Sequence, residues 1–457
     1  MSCPLSSDVL LSIGDWIEDQ PDRLNLIFAS RQFHDLFLPL LYRHATLKNR
    51  RGVYAFTSAI LRRPELARSV RALDFRCWKP TPAEEGIPSC DRFRQLLVGA
   101  SHSEEEQEKW ENDLKTGNDE AWMALPLSLL CNLRRVDLVY PKQSLYLDRT
   151  FRRAMEGVKP FHAEKPVLRF LEAVSLKILH HDDDSSNTDS SQPVFCSSQL
   201  LPFFHFPSMR TISADSVIET PTEPENPTMP TSRSTISEID LTCSNSIRGM
   251  ASFIARCSNL ASFKYQHSDS HLESRAYCPS AFSEALSTSK GSLETLWLDS
   301  FGTHLPFTMA GLNHTHDEWL GSLEGFTALT ELRVRLPNLI DIRYRSEPTM
   351  PLIDVLPGSL ERIFIEGCDE RSLPMLISQL ETLVRHRKTK MANLNRIEVE
   401  GFFHQDPEDA GDSSDAVPEG YRIRSQVITM TGSLREACDK AEIEFFIRDR
   451  LVMESMI

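Results

Sequence analysis

The sequence predicts an α/β chain in which three short N-terminal helices precede an irregular solenoid of strand-and-helix units, with a parallel sheet on its concave face. Three observations carry this expectation. One apolar pattern recurs ten times along the 457 residues, helical apolar stripes lie between the copies, and residues 5–42 have helical periodicity with no copy of the pattern.

The pattern reads apolar, two variable residues, apolar, one variable residue, apolar. Its copies begin at Val70, Leu133, Leu171, Met209, Ile236, Leu260, Leu293, Leu329, Leu360 and Leu394, with a weaker candidate at 441–446. The last two apolar positions are two residues apart, so on an extended chain they share one face and the residue between them takes the other. Each copy is therefore a short, half-buried strand.

Between the copies, Leu373, Leu376, Ile377, Leu380, Leu383 and Val384 form an apolar stripe at helical spacing, and Ile247, Met250, Phe253 and Ile254 form a second. One strand and one helix cannot bury an apolar face alone, but stacked units can. From Leu133 onward the copies lie 24 to 38 residues apart, which implies an uneven arc. Polar stretches at 103–120, 181–193, 220–235 and 405–420 have too little apolar area to offset ordering entropy and are expected to be mobile loops.

Residues 5–42 have a different texture. Ser6 or Ser7 caps a first helix presenting Val9, Leu10, Ile13 and Ile17; Pro21 and Asp22 precede a second with Leu24, Ile27 and Phe28; Phe33, Leu36 and Phe37 mark a third, ended by Pro39. So small a unit needs a partner or the next domain to complete its core. Residues 50–63, with Tyr54, Phe56, Ile60 and Leu61, form a connecting helix. The expected division is 1–48 for the helical module, 49–69 for the connection and 70–457 for the repeat array.

Composition narrows the function. With 40% apolar and 25% charged residues the chain is globular, and a net charge of -15 argues against a nucleic-acid partner. No Lys or Arg precedes Arg23, so the layout of a secretory signal is missing, and no apolar run reaches membrane-spanning length. Ten scattered cysteines without a CxxC pair read as reduced thiols, which places the protein in the cytosol or nucleus. None of the common phosphate, dinucleotide, zinc or acyl-transfer motifs is present, so neither an enzyme nor a cofactor is expected. His314, His316 and Asp317, joined by His180, His181, His267 or His271, are the best metal-like set, and they read as surface histidines with no metal site. Glu104, Glu105 and Glu106, like Asp182, Asp183 and Asp184, read as solvated charges.

The strand pattern resembles that of leucine-rich-repeat proteins over roughly residues 70–450. From Leu133 onward six of its eight spacings exceed the usual repeat of about 20–29 residues, and the consensus Asn or Cys is met once, at Cys368. The N-terminal residues Leu5-Ser-Ser-Asp8-Val9-Leu10 with Ile13, then Asp22-x-Leu24, Phe28-Ala-Ser-Arg-x-Phe33 and Pro39-Leu-Leu-Tyr42-Arg43, resemble an F-box of fungal form. Here the family's Leu-Pro pair is Leu5-Ser6, with a proline displaced to Pro4.

The resemblance implies a substrate-recognition adaptor of a cullin-type (SCF) ubiquitin ligase. Leu5, Val9, Leu10, Ile13, Leu24, Phe28, Phe33, Leu36, Leu40, Leu41 and Tyr42 would dock the Skp-type linker that leads to the cullin, and the repeats would hold a substrate protein. The alternative is a non-enzymatic repeat scaffold whose first helices only cap the solenoid. A docking motif keeps apolar side chains exposed, whereas a cap buries them.

On the repeats, the residue between the last two apolar positions faces the concave side. From the second copy onward these residues are Asp137, Ser175, Ser213, Asp240, Lys264, Trp297, Arg333, Phe364 and Glu398. Trp297 and Phe364, flanked by Arg333 and Arg335, have the composition of an interaction hot spot. The expected partner strip is Lys264, Trp297, Arg333, Arg335, Phe364 and Glu398. The competing expectation is that the two aromatics are ordinary core.

Overall fold

A computed structural model describes residues 6–17, 19–79, 89–140, 144–161, 168–178, 194–219, 233–246, 248–268, 277–299, 318–342, 347–403 and 423–450. The chain forms two compact units, Met1–Asp215 and Ser216–Ile457.

The first unit opens with three helices: α1 (Ser7–Asp15), α2 (Gln20–Ala29) and α3 (Arg31–Leu41). Ser6 accepts the Val9 N–H at 3.4 Å and Ser30 accepts the Phe33 N–H at 3.1 Å, each satisfying an orphan donor of a first turn. Leu10, Ile27, Phe37 and Leu40 form a small core between the helices. Gly14 is required by this packing, because a Cβ there would stand 2.6 Å from the Phe37 ring. Pro39, expected to end the third helix, lies inside α3. Its fixed φ suits a helix, and so near the end the missing N–H interrupts little. Ile17 falls just beyond α1, where its carbonyl accepts Arg23 Nε at 2.7 Å. The Tyr42 ring stacks on Phe56 at 6.0 Å, tying α3 to α4 (Arg50–Arg62), the connecting helix, which α5 (Pro64–Ser69) follows.

Five parallel strands complete this unit's sheet: β1 (His44–Thr46), β2 (Ala72–Asp74), β3 (Arg135–Tyr140), β4 (Ala173–Ile178) and β5 (Thr211–Asp215). The second unit aligns seven more: β6 (Glu238–Ser244), β7 (Ser262–His267), β8 (Thr295–Asp299), β9 (Glu331–Arg335), β10 (Arg362–Cys368), β11 (Arg396–Gly401) and β12 (Glu444–Asp449). Ten of the twelve are the repeating pattern, and β12 is the weaker candidate. In every one of the ten copies all three apolar residues are buried, none more than 2% exposed. Cys368 is fully buried at the end of β10.

A main-chain device repeats with the strands. The carbonyl of Arg43 accepts the N–H groups of both Arg71 and Ala72, at 2.8 and 3.0 Å, and the Arg71 carbonyl then accepts those of Arg134 and Arg135 at 2.7 and 3.0 Å. The same two-donor arrangement occurs at Arg134 and Glu172, and in the second unit at Ser237, Ala261, Glu294, Thr330 and Glu361. It fixes the register of each strand start on the one before.

The helix Leu373–Arg385 buries all six residues of the expected stripe. The second stripe yields only the short helix Ala251–Ile254, which buries Phe253 and Ile254; Ile247 lies outside the described residues. The largest correction concerns 103–120, expected to be a mobile loop. It contains the helix Glu104–Thr116, capped by Ser103 and ended by left-handed Gly117, and the start of the helix Asp119–Ala124, capped by Asn118. Trp110 and Leu114 supply the buried side that makes this worthwhile. Glu106 is accordingly no solvated charge. It pairs with Arg149 and Arg153 at 2.8 Å on the helix Tyr146–Glu156; burial opposes its ionisation, but these arginines and the His102 N–H hold its pKa down at about 2. The stretches 181–193 and 405–420, and 220–232 of the third polar stretch, lie outside the described residues.

Candidate functional site

Register places one residue from each strand of the second unit in a single row. Asp240 pairs with Lys264, Lys264 with Trp297, Trp297 with Arg333, Arg333 with Phe364, Phe364 with Glu398, and Glu398 with Phe446. All are half-buried except Phe446, which is exposed. They point away from the core because the residues on either side of each, such as Leu296 and Leu298 around Trp297, point into it.

Charge and ring alternate along the row. Lys264 Nζ lies 3.8 Å from the centre of the Trp297 ring, and the Arg333 guanidinium lies 5.4 Å from Trp297 and 4.8 Å from Phe364. Arg396 lies 4.7 Å from the Phe446 ring. Such contacts are worth about 0.5–2 kcal/mol each, depending on desolvation.

Carboxylates hold the cations in position. Glu331 accepts Trp297 Nε1 at 2.9 Å with one oxygen and pairs with Arg362 at 2.7 Å through the other. Glu398 pairs with Arg396 and Arg448, both at 2.5 Å, and Arg333 pairs with the fully buried Glu366. Burial pushes the Asp240 carboxyl pKa up against the opposing charge of Lys264. The result is a basin of about 290 Å³ whose walls include Trp297, Phe364 and four arginines.

Lys264, Trp297, Arg333, Phe364 and Glu398 thus stand together as a row. Arg335 does not join them: it is buried, 6% exposed, at the end of β9, where the chain turns at once into the helix Leu336–Leu339, which packs against β9 and β10. Asp137, the corresponding residue of β3, is also buried. Sequence reasoning missed Glu331, Arg362, Arg396, Phe446 and Arg448. The signal for the first three was available, since each lies two residues before a row member and shares its face.

A second surface belongs to the helical module. Val9, Ile13 and Trp16 of α1 and its cap are 45%, 47% and 87% exposed, and Leu24 and Phe28 of α2 are 42% and 77% exposed. The spacings i, i+4, i+7 and i, i+4 make each set a stripe on one helix side. Leu10 and Leu40 are corrected from contact residues to core, at 5% and 6% exposed, because they fill the space between the helices. Phe33, Leu36, Leu41 and Tyr42 are half-buried, and Leu5 lies outside the described residues. Trp16 was not anticipated as part of this surface.

Among the described residues no group of three His, Cys, Asp or Glu could hold a metal ion, and no helix is long and apolar enough to cross a membrane. His267 is buried, its Nδ1 3.1 Å from the Tyr265 hydroxyl; His180, His181, His271, His314, His316 and Asp317 lie outside the described residues.

A sequence model for the leucine-rich repeat domain matches residues 94–411. No curated protein matches the chain.

Proposed function

The chain belongs to the leucine-rich repeat family, and from that premise we propose that it is a substrate-recognition adaptor of a cullin-type ubiquitin ligase, acting in the cytosol or nucleus. In this reading α1 to α3 are an F-box that docks a Skp-type linker, and the repeats hold the protein to be modified. The adaptor itself performs no catalysis.

The observation that carries the reading is the exposure of Val9, Ile13, Trp16, Leu24 and Phe28 on the module's helices. Covering side chains of this size releases about 1.5–3 kcal/mol each, so they favour association with an apolar partner. A unit that only capped the array would turn such residues inward. The row from Lys264 to Phe446 supplies the second surface, with two half-buried rings and ordered cations of the kind that concentrate binding energy.

The test is co-purification of the full chain with a Skp-type linker and a cullin. Capture of both, lost on Phe28→Ala or Trp16→Ala without a change in melting temperature, supports the adaptor reading. Failure of the wild-type chain to retain the linker removes it and leaves a repeat scaffold.

A further inference from the structure

Residues 43–79 contain ten Lys or Arg against two Asp or Glu, in a chain with 50 against 65 overall. Folding gathers part of this excess on the strand face of β1 to β3. A basin of about 490 Å³ is lined there by Arg71, Arg76, Arg134 and Arg135, with Asp74 and Asp137 as the carboxylates.

The carboxylates are already engaged. Asp137 takes Arg135 in a two-point contact at 2.9 and 3.1 Å, and Asp74 takes Arg76 at 2.9 and 3.1 Å. These forks hold two guanidiniums in place. Arg71 gives Nη1 to the neutral carbonyl of Asn132 at 3.1 Å, so its charge is not cancelled there, and Arg134 pairs at 2.8 Å with Glu172 where both side chains are about half exposed. Four guanidiniums thus meet three carboxylates, Asp74 and Asp137 in the lining and Glu172 beside it, and the charge left over is that of Arg71. The pKa of His44, another lining residue, is held down by burial and then by the charges of Arg23 and Arg43, two cations outside the lining.

A guanidinium carries five N–H donors in a plane and suits oxyanions in paired contacts. We propose that this basin is a subsite for an oxyanion on the target polypeptide, either the carboxylates of an acidic segment or the phosphate of a phosphorylated residue. The assignment rests on the reading that the repeats hold a target protein. A nucleic acid is disfavoured because a long polyanion meets the repulsion of a chain at -15, whereas a short anionic segment feels mainly the field within about 8 Å at physiological salt.

The test uses the full chain and fluorescence anisotropy with peptides of equal length carrying six glutamates, one phosphoserine or six lysines, and a single-stranded oligonucleotide. Binding of the glutamate or the phosphoserine peptide, with no binding of the lysine peptide, is expected, and the tighter of the two identifies the source of the oxyanion. Arg134→Glu weakens it by about tenfold or more, Arg134→Lys largely retains it, and Lys109→Glu, an exposed change on the helix Glu104–Thr116, leaves it unchanged. Thermal melting of each variant verifies folding.

No binding of either anionic peptide, tighter binding of the oligonucleotide, or equal loss in Arg134→Glu and Lys109→Glu would overturn the subsite. Retention of the Skp-type linker is measured in parallel. Linker bound with no anionic peptide bound removes the subsite alone, whereas Arg134-dependent peptide binding without the linker keeps the subsite and removes the ligase role.

Discussion

The Lys264 ammonium lies 3.8 Å from the centre of the Trp297 ring, an approach made possible because the two residues are direct partners on neighbouring parallel strands. With Arg333 on the other neighbouring strand and the indole N–H bonded to Glu331, the ring is held in one place while half exposed. Replacing Trp297 and Phe364 together by Ala is expected to weaken target capture by about 2 kcal/mol or more while moving the melting temperature little. Affinity and thermal melting, measured on the same samples, check this. Collapse of the melting transition with capture intact would assign both rings to the core.

The helical module separates contact from core in the same way. Leu10→Ala should cost about 2–5 kcal/mol of stability because it empties part of a buried cluster, whereas Phe28→Ala should leave stability nearly unchanged and reduce linker binding. Denaturant unfolding and linker titration distinguish the two effects.

Acid should loosen the packing between the helices Glu104–Thr116 and Tyr146–Glu156. The Glu106 carboxyl has its folded pKa lowered to about 2 from an ordinary 4.5, so its stabilisation is fully present above about 4.5 and is lost as pH falls through 2. With solvent screening allowed for, the contribution is about 2 kcal/mol. Glu106→Gln should lower stability at neutral pH and flatten the fall between these two values. Melting curves across the acid range test it, and an unchanged acid slope in the variant would count against the assignment.

Gly249 has φ of 65°, and a Cβ there would stand 2.5 Å from the backbone carbonyl of Ala281. Backbone atoms cannot step aside as a side-chain tip can. Gly249→Ala should therefore destabilise the second unit by about 1–3 kcal/mol, measurable by denaturant unfolding, because left-handed strain and overlap act together.

The strands were legible because their signal is local: three apolar residues at fixed spacing report burial directly, as at Leu293, Leu296 and Leu298. β1 was not, since His44-Ala45-Thr46 carries no such spacing and is held by hydrogen bonds to β2. At 103–120 polar composition concealed a helix whose stops, Ser103 and Gly117, and whose buried pair, Trp110 and Leu114, were all present. The members of the row could be named from strand position alone. Which carboxylate would reach which arginine depends on register across connections of unequal length, so Glu331 beside Arg362 and Glu398 between Arg396 and Arg448 emerged only in three dimensions. The burial of Arg335 was hidden for another reason, the turn of the chain straight from β9 into the helix Leu336–Leu339.

The shared carbonyls that open successive strands belong to arginine, glutamate, serine, alanine and threonine alike. Alignment of the sheet is consequently indifferent to side-chain identity at those steps. Substitution can alter charge along that margin from one turn to the next while the neighbouring strands keep their places, so a new recognition surface can arise there without a new scaffold.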